Sequence, residues 1–191
     1  MWKKGVCRLL KIRHTGMVDF FVGLLAVFIV SLVMIVCLKI SHFMIAGAYV
    51  EDALAASNLA SALIDVEAYG RDHTLWISDP QGAYEIYREA LAVNLQLDED
   101  GRSFQRELLE GPVGIKEYII YNVKDGQVTI YELDDNGMMQ ETTAVGEAYT
   151  PDGVAVESTT IYSRIHFGVR GFGQQYIEAE KEKSVDVKRN E

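Results

Sequence analysis

MVDFFVGLLAVFIVSLVMIVCLKISHFMI, residues 17–45, decides how the rest of the chain is read. From Phe20 to Leu38 there is no charged side chain. At ~1.5 Å per residue such a run approaches the ~30 Å hydrocarbon core of a bilayer. Apolar side chains point all round, which excludes an amphipathic surface helix. Several residues are β-branched, but a lone strand in lipid leaves its backbone unpaired, so helix is the conformation that fits. The length argues against a buried core helix.

The flanks set the orientation. Before the run stand Lys3, Lys4, Arg8, Lys11 and Arg13, with no acid up to Gly16. Beyond Ser41, Asp and Glu outnumber Lys and Arg, and the whole chain carries a net charge of −10. The positive-inside bias predicts a single pass of the cell membrane, with the N-terminus cytoplasmic and the remainder extracytoplasmic. The basic segment also suits anionic head groups. A cleaved secretory signal is the competing reading, but its apolar region is only about 7–15 residues long. The small-residue stretch AGAYV at 46–50 lies far beyond the run. An uncleaved anchor is expected. Cys7 precedes the apolar run, so it is no lipoprotein anchor site.

Three parts follow from this: a basic leader at 1–16, a transmembrane helix at 17–45, and an extracytoplasmic α+β domain at 46–191. The only cysteines are Cys7 and Cys37, so no disulfide staples the outer domain. The acidic balance disfavours nucleic acid as a partner.

Residues 41–68, SHFMIAGAYVEDALAASNLASALIDVEA, hold no proline and extend the helix. Ala56, Leu59, Leu63 and Val66 recur at helical spacing and predict an apolar stripe against the outer domain. One helix is expected from about Val18 to Ala68, with Gly70 as C-cap and Gly47 as a possible bend. Asp79 and Pro80 open a second helix as N-cap and first residue, with Ala83, Tyr87, Leu91 and Leu95 inward and an end near Leu97. Trp76, in the connector between them, fits either a core anchor or an interface. Alternation then replaces helical period. KEYIIYNV and QVTIYEL flank Lys124-Asp125-Gly126 as a hairpin. The DDNG turn at 134–137 leads into MMQETTA, and Pro151-Asp152-Gly153 is a further turn. In STTIYSRIHFGVRGF, Ile161, Ile165, Phe167 and Val169 are expected in the core, with Tyr162, Arg164, His166 and Arg170 on a wet face. Gly171 and Gly173 signal a turn, and QQYIEAEKEKSVDVK a weaker last strand whose final residues fray. The fold class is α+β, closed by an antiparallel sheet.

A basic leader, Gly16, an early acid at Asp19, a hydrophobic helix running into an amphipathic one, and TIYSRIHFGV followed by the Val185-x-Val187 ending together resemble type IV pilin-like proteins. More narrowly, the chain is similar to the TadE-like minor pilins or pseudopilins of Tad (Flp) pilus systems. The resemblance implies processing between Gly16 and Met17, and a packing role for Asp19 between subunits. Pilin-type proteins usually place a glutamate fifth after the glycine; here an aspartate stands third. The implied partners are the membrane and other pilin-like subunits or pilus-assembly proteins.

No catalytic or metal constellation is visible. His14, His42, His73 and His166 are scattered without metal-ligand spacing. G-x-S-x-G and the P-loop are absent, and GVRGFG follows a strand with no helix after it. The acidic turn at 98–100 lacks EF-hand spacing. Tyr118, Tyr121 and Tyr131 suit sheet packing. Asp19 alone carries a cost, about 2.5–3.5 kcal/mol deep in the bilayer and less at its edge. We therefore expect a non-enzymatic component of a pilus or secretion apparatus, with no cofactor and no small-molecule substrate. The rivals are a regulatory ectodomain that binds a ligand or partner, against which sixteen cytoplasmic residues weigh, and a membrane-anchored enzyme. A reporter active only outside the cytoplasm, fused after Glu191, should be active; activity of a cytoplasm-only reporter there would reverse the orientation.

Overall fold

A computed structural model describes residues 3–134, 136–145, 147–171 and 175–188, with side chains from Gly16 onward except Asp72 and residues 143–145. The basic side chains of the leader, Cys7, His14, Gly173 and the final three residues lie outside the described set. The chain divides into two compact units, residues 1–42 and 43–191.

The first unit is helical. Helix α1 spans Lys3–Ser61 and so continues into the second unit. It is long and apolar enough to cross a membrane. Every residue from Gly16 to Leu38 is exposed, as lipid-facing side chains require.

The second unit is an α+β fold. Helices α2 (Val66–Asp72) and α3 (Pro80–Asn94) precede five strands: β1 (Gly114–Lys124), β2 (Gln127–Leu133), β3 (Met139–Val145), β4 (Thr160–Arg170) and β5 (Tyr176–Asp186). They form one antiparallel sheet in the order β3-β2-β1-β4-β5. The β1–β2 hairpin turns at Asp125 and Gly126, both at positive φ, as a two-residue turn matching strand twist requires. The Asp134 carboxylate organises the next turn by accepting from the Asn136 and Met138 amides. Thr150 and Val154 close the Pro151-Asp152-Gly153 turn.

Helix α3 begins as expected. Asp79 caps it by accepting from the Gly82 amide at 2.9 Å, and Ala83, Tyr87 and Leu91 are buried. It stops at Asn94, short of the expected Leu97, although Leu95 is also buried. The main core joins Val50, Leu54, Tyr87, Leu91, Tyr118 and Ile165, with Ile161, Phe167 and Val169 facing it as anticipated. The rings of Tyr84 and Tyr87 lie 5.4 and 4.6 Å from that of Tyr118.

Four expectations need correcting. Helix α1 does not run to Ala68. It ends at Ser61; Asp65 then caps α2 by accepting from the Glu67 and Ala68 amides, while its own amide donates to the Trp76 carbonyl. Helix α2 is closed by His73 at φ 58°, not by Gly70. The stripe Ala56, Leu59, Leu63 and Val66 is exposed; the buried side of α1 is Ala46, Val50, Ala53, Leu54, Ser57, Asn58 and Ser61. Lastly, the second face of β4 is not simply wet. Tyr162 is buried there with Ile119, Tyr121, Val128 and Ala148 in a second small core.

Buried polar groups fasten the layers. Asn122 accepts from the Ile77 amide and donates to the Ile77 carbonyl, 3.0 and 2.9 Å. It thereby pins the connector before α3 to the middle of the sheet. Replacing Asn122 with Ala leaves both Ile77 groups buried and unpaired, which costs about 1–3 kcal/mol for each. We expect Asn122→Ala to lower the urea midpoint of a chain starting at Ser41 without changing its m-value.

Candidate functional surface

The segment Glu51–Ser61 of α1 and strand β5 share a polar seam. Asn58 Nδ2 donates to the Lys183 carbonyl at 2.8 Å. Glu51 receives Lys183 at 2.8 Å and Lys181 at 2.9 Å. Ser61 Oγ accepts from the Tyr118 hydroxyl, and Asn94 Nδ2 donates to Ser57 Oγ. The side of α1 that reaches the sheet is therefore small and hydrogen-bonding in its outer turns, not apolar.

Strand β5 explains why this works. Its side chains alternate between faces. Ile177, Ala179, Lys181, Lys183 and Val185 pair with Val169, Phe167, Ile165, Ser163 and Ile161 on the helix side. Glu178, Glu180, Glu182 and Ser184 occupy the opposite side. The sequence EAEKEKS thus sorts its charges by face: lysines towards Glu51 of α1, glutamates away. On the far side Glu182 accepts from Arg164 Nη2 at 2.6 Å and from the Tyr162 hydroxyl, also at 2.6 Å. Those two bonds, the tyrosine's first, lower the Glu182 pKa. Glu180 is paired with Lys116. The hollow around Lys181, Lys183, Arg164 and Glu182 wraps both faces of this edge strand, so it is a charged rim and not a binding chamber.

The residues singled out in the sequence do not converge. Gly16, Met17 and Asp19 lie together on an exposed turn of α1 in the first unit, and a side chain at Gly16 would meet nothing within 4 Å. His73 stacks edge-on against Tyr69 at 5.6 Å, and His166 lies over Gly114. Asp98 is occupied within its own turn, accepting from the Asp100 and Arg102 amides. Among the described residues no group of three or more His, Cys, Asp or Glu is placed to hold a metal. Gly168, in the GVRGFG stretch, has a packing reason: a Cβ there would overlap the Tyr176 ring and the Glu110 carbonyl.

What sequence reasoning missed is the turned-out apolar stripe. Leu59 is 63% exposed, Leu63 46% and Val66 81%. The missed signal is the competing series Val50, Leu54, Asn58 and Ser61, also at helical spacing but polar in its second half. Partners for those polar groups were supplied by a strand far along the chain. No protein-family model, curated protein or solved structure matches this sequence.

The seam is acid-labile. Lys183 foremost, with Lys181, holds the Glu51 carboxyl down at about 2 against an ordinary 4.5. A carboxyl depressed on folding stabilises the fold above the ordinary value, and that contribution disappears as pH falls from 4.5 towards 2. Glu51 is 37% exposed, so solvent screening keeps the effect to about 1 kcal/mol or less. Thermal unfolding followed from pH 7 to pH 2 should show Glu51→Gln less stable than the parent near neutrality. The two should converge at the acid end.

Proposed function

We propose that this protein is a membrane-anchored assembly component, similar to the minor pilins or pseudopilins of Tad-type systems, acting through helix packing and without catalysis. The leader is cytoplasmic and the α+β domain is extracytoplasmic. The observation that carries this reading is the inverted helix. The α1 segment buries Ser57, Asn58 and Ser61 and turns Ala56, Leu59 and Ala60 outward, followed by exposed Leu63 and Val66. Covering a Leu or Val side chain gains about 1.5–3 kcal/mol each, so this group of uncovered apolar side chains supports an interaction surface. The occupant suited to such a stripe is the apolar face of a neighbouring subunit's helix, continuing a contact between membrane spans. A regulatory ectodomain would concentrate ligand-recognition groups in a hollow, whereas the polar hollow around Lys181, Lys183, Arg164 and Glu182 is rimmed by groups already paired with one another.

Asp19 fits the same scheme. If the leader is removed after Gly16, the new ammonium on Met17, with a pKa near ~8, offsets part of the cost of a carboxylate at the bilayer edge. It also favours one stagger between neighbouring helices. Leu59→Glu with Leu63→Glu should leave the circular dichroism of the domain unchanged and abolish co-purification with partner subunits. Asp19→Asn should preserve insertion and weaken the same co-purification. Gly16→Leu should retain Met1–Gly16 on the mature chain by intact mass. Unchanged co-purification in both the stripe and Asp19 variants would leave α1 as a plain anchor and overturn the assembly reading.

A further inference from the structure

A second surface of the domain is built from cations in an otherwise acidic chain. Arg102, Arg106 and Arg170 surround a hollow of about 220 Å³ whose floor includes Leu109 and Gly111. Arg170 is held by Glu110, Nε to Oε2 at 3.2 Å and Nη2 to Oε1 at 3.3 Å. Among the described residues no carboxylate pairs with Arg102 or Arg106. Between those two arginines in the chain, Phe104 is 70% exposed, its amide donating to the Gln96 carbonyl. The hollow has room for a phosphate with ordered water, each water occupying about 30 Å³.

Its place in the fold suggests the source of that phosphate. Lys183 of β5 lies against Asn58 and Glu51, and Lys181 against Glu51. Strand numbers therefore fall along β5 as helix numbers fall along α1. From Lys183 to Tyr176 the strand covers about 23 Å. From Asn58 to Phe43 the helix covers about 22 Å. The β4–β5 end, with Arg170, thus lies level with the Phe43 end of the unit. The Glu110 amide, donating to the Gly168 carbonyl, brings the Arg102–Glu110 loop to the same end. Phe43 follows the apolar run by only a few residues, so the chain itself joins this end to the segment that is long and apolar enough to cross a membrane.

We propose that the Arg102–Arg106–Arg170 hollow binds the phosphate of an anionic phospholipid head group, with Phe104 entering the interface beside it. Arginine forks match phosphate oxygens, and cationic side chains near an anionic leaflet are attracted over about a Debye length. An aromatic ring suits the head-group level. The nearby acids temper the attraction without filling the hollow. Asp98 is turned into its own loop and Glu110 is paired with Arg170, while Glu99, Asp100 and Glu107 are loop acids outside the lining. The proposal rests on α1 crossing a membrane and not on the pilin reading.

The test is hydrogen exchange on the full chain in nanodiscs of phosphatidylcholine, with and without about one-third phosphatidylglycerol. Co-elution with the discs reports the span independently of the hollow. Phosphatidylglycerol should slow amide exchange across residues 102–111 and 168–171 roughly tenfold while leaving β1 unchanged. Arg102→Gln with Arg106→Gln should remove that protection; Phe104→Ala should weaken it. Equal exchange in the two lipids overturns the proposal. So does protection gained in phosphatidylcholine discs on adding millimolar inorganic phosphate, which assigns the hollow to a soluble anion, or a glutamate-rich peptide, which assigns it to a protein partner. The wild-type lipid comparison stands even where a variant misfolds.

Discussion

One helix combines a run apolar enough to cross a membrane with a side fitted to a sheet, and that constraint governs this chain. From Phe20 to Leu38, α1 presents only side chains that hydrocarbon accepts, and its backbone bonds are satisfied within the helix. From Ala46 the same helix must give one side to a sheet. There it offers small residues at first, then Ser57, Asn58 and Ser61. Buried polar side chains are tolerable only with partners. The Lys183 carbonyl, the Asn94 amide and the Tyr118 hydroxyl supply them. Directional bonds therefore add to the burial of Val50 and Leu54 in fixing the position of α1 on the sheet.

Such fixing suits a helix whose outer turns face Leu59 away from the sheet. If Leu59 and Leu63 faced the sheet, the domain would gain burial but lose register. Apolar contacts slide more readily than a hydrogen bond to a particular carbonyl. The Glu51 pair with Lys181 and Lys183 adds the same kind of selection, weak in energy and specific in place. Rotating α1 by one residue, about 100°, would bury Leu59 and carry Asn58 away from β5. The polar seam thus decides which side of the helix remains available to a partner.

Elements with strong local signals were legible in the sequence. Asp79-Pro80 marked α3 because capping is a local interaction, and Asp125-Gly126 marked the hairpin because only certain residues accept positive φ. The apolar run announced α1 by length alone. The failures were non-local. Nothing within residues 50–66 tells which of two helical series, 50-54-58-61 or 56-59-63-66, meets the sheet, because the partner carbonyl lies at Lys183. The strength of β5 was hidden by its charges. Read by sign, EAEKEKS is as regular an alternation as any apolar strand, with lysines answering Glu51 and glutamates answering Arg164 and Lys116. The second core around Tyr162 was equally hidden, since it depends on Ala148, which arrives from the loop between β3 and β4. The arginine hollow draws on two segments that are far apart in sequence and are joined by the Glu110–Gly168 bond and the Arg170–Glu110 pair.

The edge position of β5 completes the physical argument. An exposed edge strand of eleven residues invites another strand to pair with it, and charged side chains, lysine above all, discourage that. Here the protection is double. On the helix side of the edge stand Lys181 and Lys183. On the opposite side Glu178, Glu180 and Glu182 make an acidic row that an incoming strand of like sequence would oppose. A second copy of the domain is therefore discouraged from pairing along the β5 edge.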